Sequence, residues 1–415
     1  MGCEPAGVDT AITVLGGGPV GLAAACALAA YDLDVVLVAP PPEPQRMSGD
    51  RRTAALFGPS VALLQNLGVW SRCVQGCAPI RAIRIADARD GLVHAPELVF
   101  HAHEIGRETF GYNIANAALV DALAANVRAQ SRIAWMPTSK VTTVTSVAGG
   151  RWKLHLAEGM QITTQLLVAA DGRNSIARQA ANISVQTQAY PQTALVATFA
   201  HARPHNDTVL ELHGTHGPCT TVPMPGNASS LVWVESPETA QMLSALEPDD
   251  FAENLEERLQ CVLGAIGHIG PRASYPLSAL TASRMGASGV ALVGEAAHVI
   301  PPIGAQGLNL GLRDVAVLAD CVADARTKGH DTSGDDMLDT YHRLRSGDVT
   351  ARAISIDVLN RSLLSDMLPV DVARSLSARV IAGFSPLRRY LMHGGMGHID
   401  PLPQLMRPNA SVSGP

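Results

Sequence analysis

The residues of this chain that could do chemistry are concentrated in glycine-rich loops between apolar runs and helical patterns. In the stretch 289–314, the apolar run Val290 to Val293 predicts a buried strand, and a loop with Pro301, Pro302 and glycines follows. The prolines fix the direction of this loop, and its glycines let backbone N–H groups approach a flat or anionic group. The stretch fits a cofactor site and an ordinary strand–loop–helix connection of an α/β domain equally well.

A second glycine-rich loop near the N-terminus carries a more specific signal. The motif Gly16-x-Gly18-x-x-Gly21 follows an apolar, β-prone run and opens an Ala- and Leu-rich helical segment. Gly16 permits a tight turn, Gly18 lets the backbone approach a pyrophosphate, and Gly21 lets helix and strand pack closely. The loop therefore predicts dinucleotide binding. The acidic residue that usually holds the ribose is absent, because position 39 is alanine and the nearest carboxylate along the chain is Glu43.

Composition and charge limit the classes of protein that this chain can be. Its 415 residues are 47% hydrophobic and 16% charged, which indicates a globular protein of two or three domains. A net charge of -6 argues against nucleic-acid binding. The seven cysteines contain no Cys-x-x-Cys pair, so neither a zinc ribbon nor a disulfide framework is expected. With no secretory signal and no uninterrupted apolar run of spanning length, we expect a cytoplasmic protein.

The predicted elements place these motifs around one α/β domain. An apolar run from Leu166 to Ala170 predicts a strand that ends in the polar turn Asp171-Gly172. The segment from Tyr112 to Arg128 predicts a helix, with Asn116 near its start. Short alternating strands recur between about residues 185 and 276, which indicates an inserted antiparallel sheet. The predicted boundaries are 8–80, 101–184 and 281–335 for a discontinuous nucleotide-binding domain, 81–100 and 185–280 for a substrate domain, and 336–415 for a helical C-terminal region.

Three motifs in fixed order resemble the class A flavoprotein monooxygenases, which share the para-hydroxybenzoate hydroxylase fold. They are the Gly-x-Gly-x-x-Gly loop, Asp171-Gly172 after a strand, and Gly294-Glu295 leading to Pro301-Pro302-Ile303-Gly304-Ala305-Gln306-Gly307-Leu308-Asn309. Further segments look most like the ubiquinone-biosynthesis hydroxylases: Arg52-Thr53-Ala54-Ala55-Leu56, Val232-Trp233, Tyr275-Pro276-Leu277 and Pro386-Leu387-Arg388-Arg389. The similarity spans roughly Thr10 to Arg407. It implies a Rossmann-like FAD-binding domain with an inserted antiparallel-sheet substrate domain and a helical C-terminal region.

The resemblance implies FAD as the cofactor and gives particular positions a role in binding it. Asp171 would lie beside the pyrophosphate, and Glu295 stands where the family usually has an aspartate on the ribityl chain. The backbone N–H groups of Gly307, Leu308 and Asn309 would face the pyrimidine edge of the isoalloxazine. The full implied set is Gly16, Gly18, Gly21, Arg52, Asn116, Asp171, Glu295, Gly307, Leu308 and Asn309.

The resemblance also implies the reaction. NAD(P)H would reduce the flavin, and an oxygen atom from O2 would then be transferred to an aromatic ring. Pro301 and Pro302 would form the wall near the reacting carbon and are the predicted catalytic residues. The expected substrate is a polyprenylated phenol intermediate of ubiquinone biosynthesis. A flavin monooxygenase for a small soluble aromatic, or a non-catalytic flavoprotein-like member of a biosynthetic complex, are the alternatives, the latter hinted at by Ala39 and Glu295.

Several other residues have both a functional and a structural interpretation. His101-x-His103 could bind a metal, but it is more typical of a polar strand edge, and no metal is expected. His298 could transfer a proton or support the loop beside it, and Arg52 could be a solvated arginine at a helix start. Arg388-Arg389 fits a capped terminal helix, which is the simpler interpretation, or a contact with a membrane surface. The protein as a whole could associate with the inner face of the membrane or with a biosynthetic complex.

Overall fold

The computed structural model describes residues 7–41, 52–89, 94–365, 367–397 and 401–408. The strands are β1 (Gly7–Leu15), β2 (Val35–Ala39), β3 (Thr53–Phe57), β4 (Ala78–Ile80), β5 (Ala82–Asp87), β6 (Leu98–His101), β7 (Gly111–Ala115), β8 (Ile133–Pro137), β9 (Val141–Val147), β10 (Arg151–Leu156), β11 (Gln161–Ala169), β12 (Val185–His201), β13 (Thr208–His213), β14 (Pro218–Met224), β15 (Ala228–Glu235), β16 (Ile266–Ile269), β17 (Ala273–Ala282), β18 (Gly286–Ala287), β19 (Val290–Leu292) and β20 (His298–Val299). The helices are α1 (Pro19–Ala29), α2 (Gly58–Asn66), α3 (Trp70–Cys73), α4 (Asn116–Ala129), α5 (Ile176–Ala180), α6 (Pro237–Ala245), α7 (Pro248–Arg258), α8 (Gln306–Thr327), α9 (Asp335–Leu363), α10 (Leu368–Gly383) and α11 (Ser385–Gly395).

The first sheet carries the loops that the sequence singles out. Its strand order is β18-β19-β11-β1-β2-β8, and β1 is parallel to both β11 and β2. Strand β2 is buried along its whole length, and α1 is buried from Gly21 to Ala29, because helices cover this parallel sheet. The carboxyl ends of β1, β11 and β19 meet at one edge. The glycine loop, Asp171 and Glu295 follow these three strands, so one edge of the sheet collects all three motifs.

The second sheet is built mainly from residues 185–282 and has the order β20-β17-β12-β15-β14-β13-β5-β6. Its central strand is the 17-residue β12, which pairs antiparallel with β15 and β17. One pair departs from the expected antiparallel pattern, since β5 runs parallel to β13. No hairpin joins these two strands, so a parallel pairing is open to them. The second sheet has its own apolar core under α6 and α7, which includes Trp233, Phe251 and Leu255.

A small sheet and the C-terminal helices complete the fold. Strand β7 pairs with β3 and β4, so residues 112–115 are extended and the predicted helix begins only at Asn116. This part of the helix prediction was wrong, because pairing with two distant strands overrides local helical preference. Helix α8 packs against α1, α9 packs against α8, and α10 packs against α11. The predicted α/β fold with a helical C-terminal region is confirmed.

Candidate cofactor and active site

The N-terminus of α1 is open toward solvent and has no side-chain cap. Its N-cap residue Gly18 has φ -74° and ψ 173°, and no side chain among the described residues bonds the free N–H groups of the first turn. A Cβ built on Gly18 would meet no atom within 4 Å. Free N–H groups, a helix dipole and open space are what a pyrophosphate requires. The residues present therefore fit the phosphate groups of a dinucleotide.

The other two glycines of the motif are fixed by close backbone contacts. Gly16 has φ +127°, and a Cβ there would collide with the carbonyl oxygen of Ala170. A Cβ on Gly21 would collide with the carbonyl oxygen of Gly16. These two glycines press the loop against the end of β11. The contact holds Asp171, the next residue, beside the glycine loop, where a Cβ on Gly16 would lie 3.1 Å from its backbone nitrogen.

One carboxyl oxygen of Asp171 accepts a hydrogen bond within the described part of the chain, and the other accepts none. Its Oδ2 accepts a hydrogen bond of 2.8 Å from the backbone N–H of Ile176, at the start of α5. Its Oδ1 is buried and has no hydrogen-bond partner among the described residues. Burial raises the pKa of this carboxyl, outweighing the backbone N–H groups that lower it. A buried oxygen without a partner marks a place where a hydroxyl of a bound molecule fits.

The Gly294-Glu295 turn lies against the first turn of α1. Gly294 has φ +59°, and a Cβ there would be 3.1 Å from Val20. Gly311 of α8 packs on the same side chain, since its Cβ would be 2.8 Å from Val20 and 3.1 Å from Gly294. Glu295 is exposed between two buried neighbours and has no hydrogen bond or ion pair within the described part of the chain. Its carboxylate is thus available to a ligand next to the glycine loop.

The loop before α8 ends in two consecutive left-handed residues. Gly304 has φ +67° and Ala305 has φ +52°, a conformation that costs energy at a residue with a Cβ. Helix α8 starts directly afterwards, and no side chain caps its first turn. A Cβ on Gly307 would meet nothing within 4 Å, and Leu308 is half-buried. The chain therefore presents a second free helix N-terminus, as the N–H groups predicted to face the isoalloxazine require.

Asn309 has a side-chain role that the sequence analysis missed. Its Oδ1 accepts hydrogen bonds from the N–H of Phe57 at 3.0 Å and from the hydroxyl of Ser60 at 2.7 Å. Its Nδ2 donates to the carbonyl oxygens of Ala55 and Ala305, each at 2.8 Å. Asn309 is 2% exposed, so it ties the strained loop to β3 and α2 from inside the protein.

A buried carboxylate anchors the Gly294 turn to two helices. Asp314 of α8 accepts hydrogen bonds from the N–H of Gly294 at 3.0 Å, from Nε2 of His298 at 2.6 Å and from Nε of Arg345 at 2.8 Å. Burial raises the pKa of Asp314, but His298 and Arg345 outweigh it, so the pKa lies below its usual value. His298 is 2% exposed, and its Nδ1 has no hydrogen-bond partner in the described residues.

The same network continues to the first residue of α8. Asp348 of α9 pairs with Arg313 at 2.6 Å, with Arg345 at 2.8 Å and with Arg352 at 2.9 Å. These three guanidinium groups lower the pKa of Asp348 in spite of its burial. Arg352 then donates to Oε1 of Gln306 at 2.7 Å. The helical spacing Arg345-x-x-Asp348-x-x-x-Arg352 is the sequence signal that could have found this network.

Arg52 and Asn116 come together at the edge of the small sheet. The N–H of Asn116, the first residue of α4, donates to the carbonyl oxygen of Arg52 at 3.0 Å. The guanidinium of Arg52 lies 5.5 Å from the ring centroid of Tyr275, a residue of the second sheet. Arg52 therefore connects the small sheet with the second sheet. In the proline pair, Pro301 is buried and Pro302 is exposed.

Ala39 fills a tightly packed position at the end of β2. It is 1% exposed, and a Cβ on Gly17 would lie 2.9 Å from its own Cβ. Its carbonyl oxygen accepts hydrogen bonds from Nε1 of Trp135 at 3.2 Å and from the N–H of Thr138 at 3.3 Å. Glu43, which could have supplied the missing carboxylate, lies outside the described residues.

An apolar cluster lies between the small sheet, the second sheet and α11. Its partly buried members include Ala305, so it reaches the strained loop. The buried members are Ala55, Phe57, Ile80, Ala102, Phe110, Val209, Met392 and Met396. This cluster, which we call the apolar wall, gives the loop a neighbour suited to an apolar ring.

The remaining candidates are separate from this site. A surface cavity of about 690 Å³ lies between the end of α8 and the start of α9, and none of the predicted site residues lines it. The rings of His101 and His103 stack at 5.1 Å on the second sheet. In the described ranges, no group of three or more His, Cys, Asp or Glu is arranged to hold a metal. No helix among the described residues is long and apolar enough to cross a membrane.

Comparison with known proteins gives a family and close relatives. Residues 9–354 match the family model described as FAD binding domain. Ubiquinone hydroxylase UbiL of Rhodospirillum rubrum is 34% identical over 402 residues, which cover 95% of this chain and 92% of that protein. The 3-demethoxyubiquinol 3-hydroxylase of Escherichia coli is 29% identical over 394 residues, covering 94% and 98%. The structure of PqsL from Pseudomonas aeruginosa in complex with 2-aminobenzoylacetate superimposes with a TM-score of 0.74 at 20% identity. The match covers 89% of this chain and 99% of that one, so the two proteins share the same fold.

Proposed function

The chain belongs to the FAD-binding-domain family and is an FAD-dependent monooxygenase, and from this premise we propose that it hydroxylates the aromatic ring of a polyprenylated phenol in ubiquinone biosynthesis. NAD(P)H is the proposed reductant and O2 the oxygen source. The observation that carries the proposal is the packing of Val20, in the first turn of α1, against Gly294 and against Gly311 in the second turn of α8, because it brings together two helices whose N-termini have no side-chain cap. The substrate class is supported by the full-length similarity to the two ubiquinone hydroxylases.

In this proposal the α1 end of the site holds the pyrophosphate and the sugar chain. The N–H groups that follow Gly18 bind the phosphate oxygens, since no side chain occupies them. The free Oδ1 of Asp171 and the exposed carboxylate of Glu295 accept hydrogen bonds from hydroxyl groups of the cofactor. Arg52 and Asn116 lie at the edge of the small sheet, where Arg52 adds a positive charge toward the cofactor.

The α8 end holds the reacting ring. FAD supplies electron transfer from NAD(P)H and the oxygen chemistry when it is bound. The N–H groups of Gly307, Leu308 and Asn309, together with the dipole of α8, stabilise negative charge at the pyrimidine edge. Pro301 and Pro302 have no N–H group, and with the apolar wall they keep water from the reacting atoms.

His298 acts in this scheme by holding the site in place. Its Nε2 is 2.6 Å from Asp314, both side chains are almost fully buried, and the pair is bonded to the N–H of Gly294. It therefore fixes the turn that carries Glu295. This supports the positioning interpretation of His298 over proton transfer.

Two measurements test the proposal in sequence. The absorption spectrum of the purified protein after desalting is expected to show bound oxidised flavin. Oxidation of NADH and NADPH is then followed with prenylated and with soluble phenols, and the product is analysed for oxygen from labelled O2. We expect stimulation and a labelled hydroxyl with the prenylated phenol.

Each other outcome has a definite meaning. A protein that is colourless and cannot be reconstituted with FAD would refute the proposal and direct attention to Ala39 and to an assembly role. Turnover of soluble phenols alone would assign the enzyme to a small soluble aromatic instead.

A further inference from the structure

The last three helices expose apolar side chains that a monomeric protein usually buries. In the second half of α9 these are Ile354, Val358 and Leu359. On α10 they are Val372, Leu376 and Val380, and at and on α11 they are Phe384, Tyr390 and Leu391. We call this set the C-terminal apolar face. We propose that it is the surface by which the enzyme docks on an anionic lipid membrane. The inference rests on the proposed function, because it names where a polyprenylated substrate would be taken up.

Helix α10 is oriented with its apolar stripe outward. Val372, Leu376 and Val380 follow each other at intervals of four and are 40%, 57% and 53% exposed. On the opposite side Ser375 is 5% exposed, and its hydroxyl donates to the carbonyl oxygen of His94 at 3.2 Å. A surface helix normally turns its apolar stripe toward the core. This reversal indicates that the apolar stripe has a partner outside the chain.

Ion pairs on the inner side fix the orientation of α10. Asp371 accepts a hydrogen bond of 2.9 Å from Arg89 and one of 2.5 Å from Arg374. Arg374 also donates to the carbonyl oxygen of Ser362, at the end of α9, at 2.8 Å. These contacts tie α10 to α9 and to the second sheet through polar groups. Rotation of the helix to bury its apolar stripe would break all of them.

The charge of this region favours an anionic partner. Residues 352–389 contain six arginines, of which four form ion pairs with Asp348, Asp357, Asp371 and Glu104, and the whole chain carries -6. Arg379 and Arg389 are exposed and form no ion pair within the described part of the chain. Apolar side chains beside arginines are typical of helices that lie in the headgroup region of anionic membranes.

Other occupants of the face are less suited to it. A second copy would bring the same arginines to the interface and place like charges together. The segments outside the described residues contain at most two large apolar side chains each, such as Leu92 and Val93. The membrane satisfies both the apolar stripe and the positive charge.

Helix α11 connects the face to the candidate active site. Tyr390 and Leu391 are exposed, whereas Met392 and Met396 belong to the apolar wall. The carbonyl oxygen of Gly395 accepts a hydrogen bond of 3.0 Å from Gln306, the first residue of α8. One side of α11 therefore faces the proposed membrane while the other side contacts the reaction site.

Vesicle flotation of the full-length protein tests the proposal. The probes are phosphatidylcholine vesicles with and without phosphatidylglycerol, in the absence of substrate and NAD(P)H. We expect binding to the anionic vesicles that weakens as NaCl is added. Leu376→Glu is expected to lower the partition of the protein onto vesicles about tenfold or more. The change removes a leucine that would be buried in the bilayer and adds a negative charge that the anionic headgroups repel. Met242→Glu is the matched control, because Met242 is also 57% exposed but lies on α6.

The outcomes separate membrane docking from the alternatives and from the catalytic proposal. No binding by the wild type, or an equal loss in both variants, would overturn the docking surface. Self-association that Leu376→Glu abolishes without any vesicle binding would assign the face to a second copy. Flavin content of Leu376→Glu is expected to match the wild type. A protein that hydroxylates but does not float refutes docking alone, and one that floats without FAD refutes the catalytic proposal alone.

Discussion

Replacing Asp314 with asparagine removes the charge at the centre of the buried network without changing its shape. Asp314 accepts from Gly294 and His298 through Oδ2 and from Arg345 through Oδ1. An asparagine offers one acceptor oxygen and one NH2 donor group. If its oxygen faces Gly294, its NH2 faces the Nε–H of Arg345, and if it is flipped, its NH2 faces the N–H of Gly294. Either orientation sets one donor against another.

The size of the effect follows from the burial of Arg345. Its side chain is 1% exposed, and breaking a buried ion pair costs about 3–5 kcal/mol. Asp348 still pairs with Arg345 at 2.8 Å, so we expect the lower end, about 3 kcal/mol. The entropy of unfolding is about 2.1 cal/mol/K per residue. For a chain of 415 residues, a loss of about 3 kcal/mol therefore lowers the Tm by about 3–4 °C.

Calorimetry and flavin retention after desalting measure the effect of Asp314→Asn. The matched control is Asp324→Asn on the same helix, where Asp324 pairs with Lys328 at 2.8 Å and both side chains are more than half exposed. That pair contributes about 0.5 kcal/mol or less, so the control should shift the Tm by less than about 1 °C. We expect Asp314→Asn to lose flavin as well, because the Gly294 turn is released. Equal shifts in the two variants would refute the reasoning.

Acid titration gives a second check on Asp314. Its pKa is lowered in the folded state, so its contribution to stability is fully present above the pKa of the unfolded chain. That contribution is lost as the pH falls through the lowered, folded-state pKa. The stability difference between wild type and Asp314→Asn should therefore shrink on acidification, and a difference that grows would contradict the assigned sign.

Three further predictions concern the two glycine loops and α11. Gly18→Val is expected to abolish flavin retention while leaving the fold intact, since the backbone of Gly18 is extended and a side chain there meets no protein atom. Gly76→Val is the control, because a side chain at Gly76 also meets no protein atom, and it should retain flavin. Unchanged flavin content in Gly18→Val would contradict the placement of the pyrophosphate at the start of α1. Asn309→Leu removes four hydrogen bonds from the buried side chain, so we expect a loss of several kcal/mol and poor product yield in coupled turnover, and a normal yield would count against the loop assignment. Hydrogen bonding from Arg388 lowers the pKa of Glu104 to about 2. The pair therefore stabilises the docked α11 fully at pH values above the ordinary carboxyl pKa of 4.5, and this stabilisation is lost as the pH falls toward 2. Glu104→Gln should weaken the amide-exchange protection of α11 at neutral pH, and protection equal to the wild type would show that the pair does not hold the helix.

The sequence predicted the parts of the site that depend on local backbone geometry. Gly16, Gly18 and Gly21 have the conformations and contacts that a nucleotide loop requires, because each role is encoded by the absence of a Cβ at one position. Likewise, the loop before α8 could be anticipated from its prolines and glycines. Whether these residues bind FAD as proposed stays a prediction, for which flavin retention is the test.

The parts that the sequence did not predict depend on distant residues. The side chain of Asn309 is bonded to β3 and α2, about 250 positions earlier, and no local pattern specifies such partners. The first residues of the predicted helix 112–128 are in β7 because two other strands pair with them. For the network around Asp314, the helical spacing of Arg345, Asp348 and Arg352 was visible, but its partner on α8 was not.

The hydrogen bonds that α11 accepts from the start of α8 and from α9 impose an order on biosynthesis. Gln306 donates to the carbonyl oxygen of Gly395, and Arg352 donates to that of Gly394. A nascent chain emerges from the ribosome with its N-terminus first, so the Gly16–Gly21 loop is exposed long before these partners exist. We therefore expect the loop that is proposed to lie beside the isoalloxazine to reach its final form only when α11 has been released and has docked. We likewise expect loading of the cofactor to be a late step in the maturation of this protein, and a nonsense mutation between residues 310 and 394 to yield a chain that contains every proposed FAD-binding residue yet fails to hold the flavin.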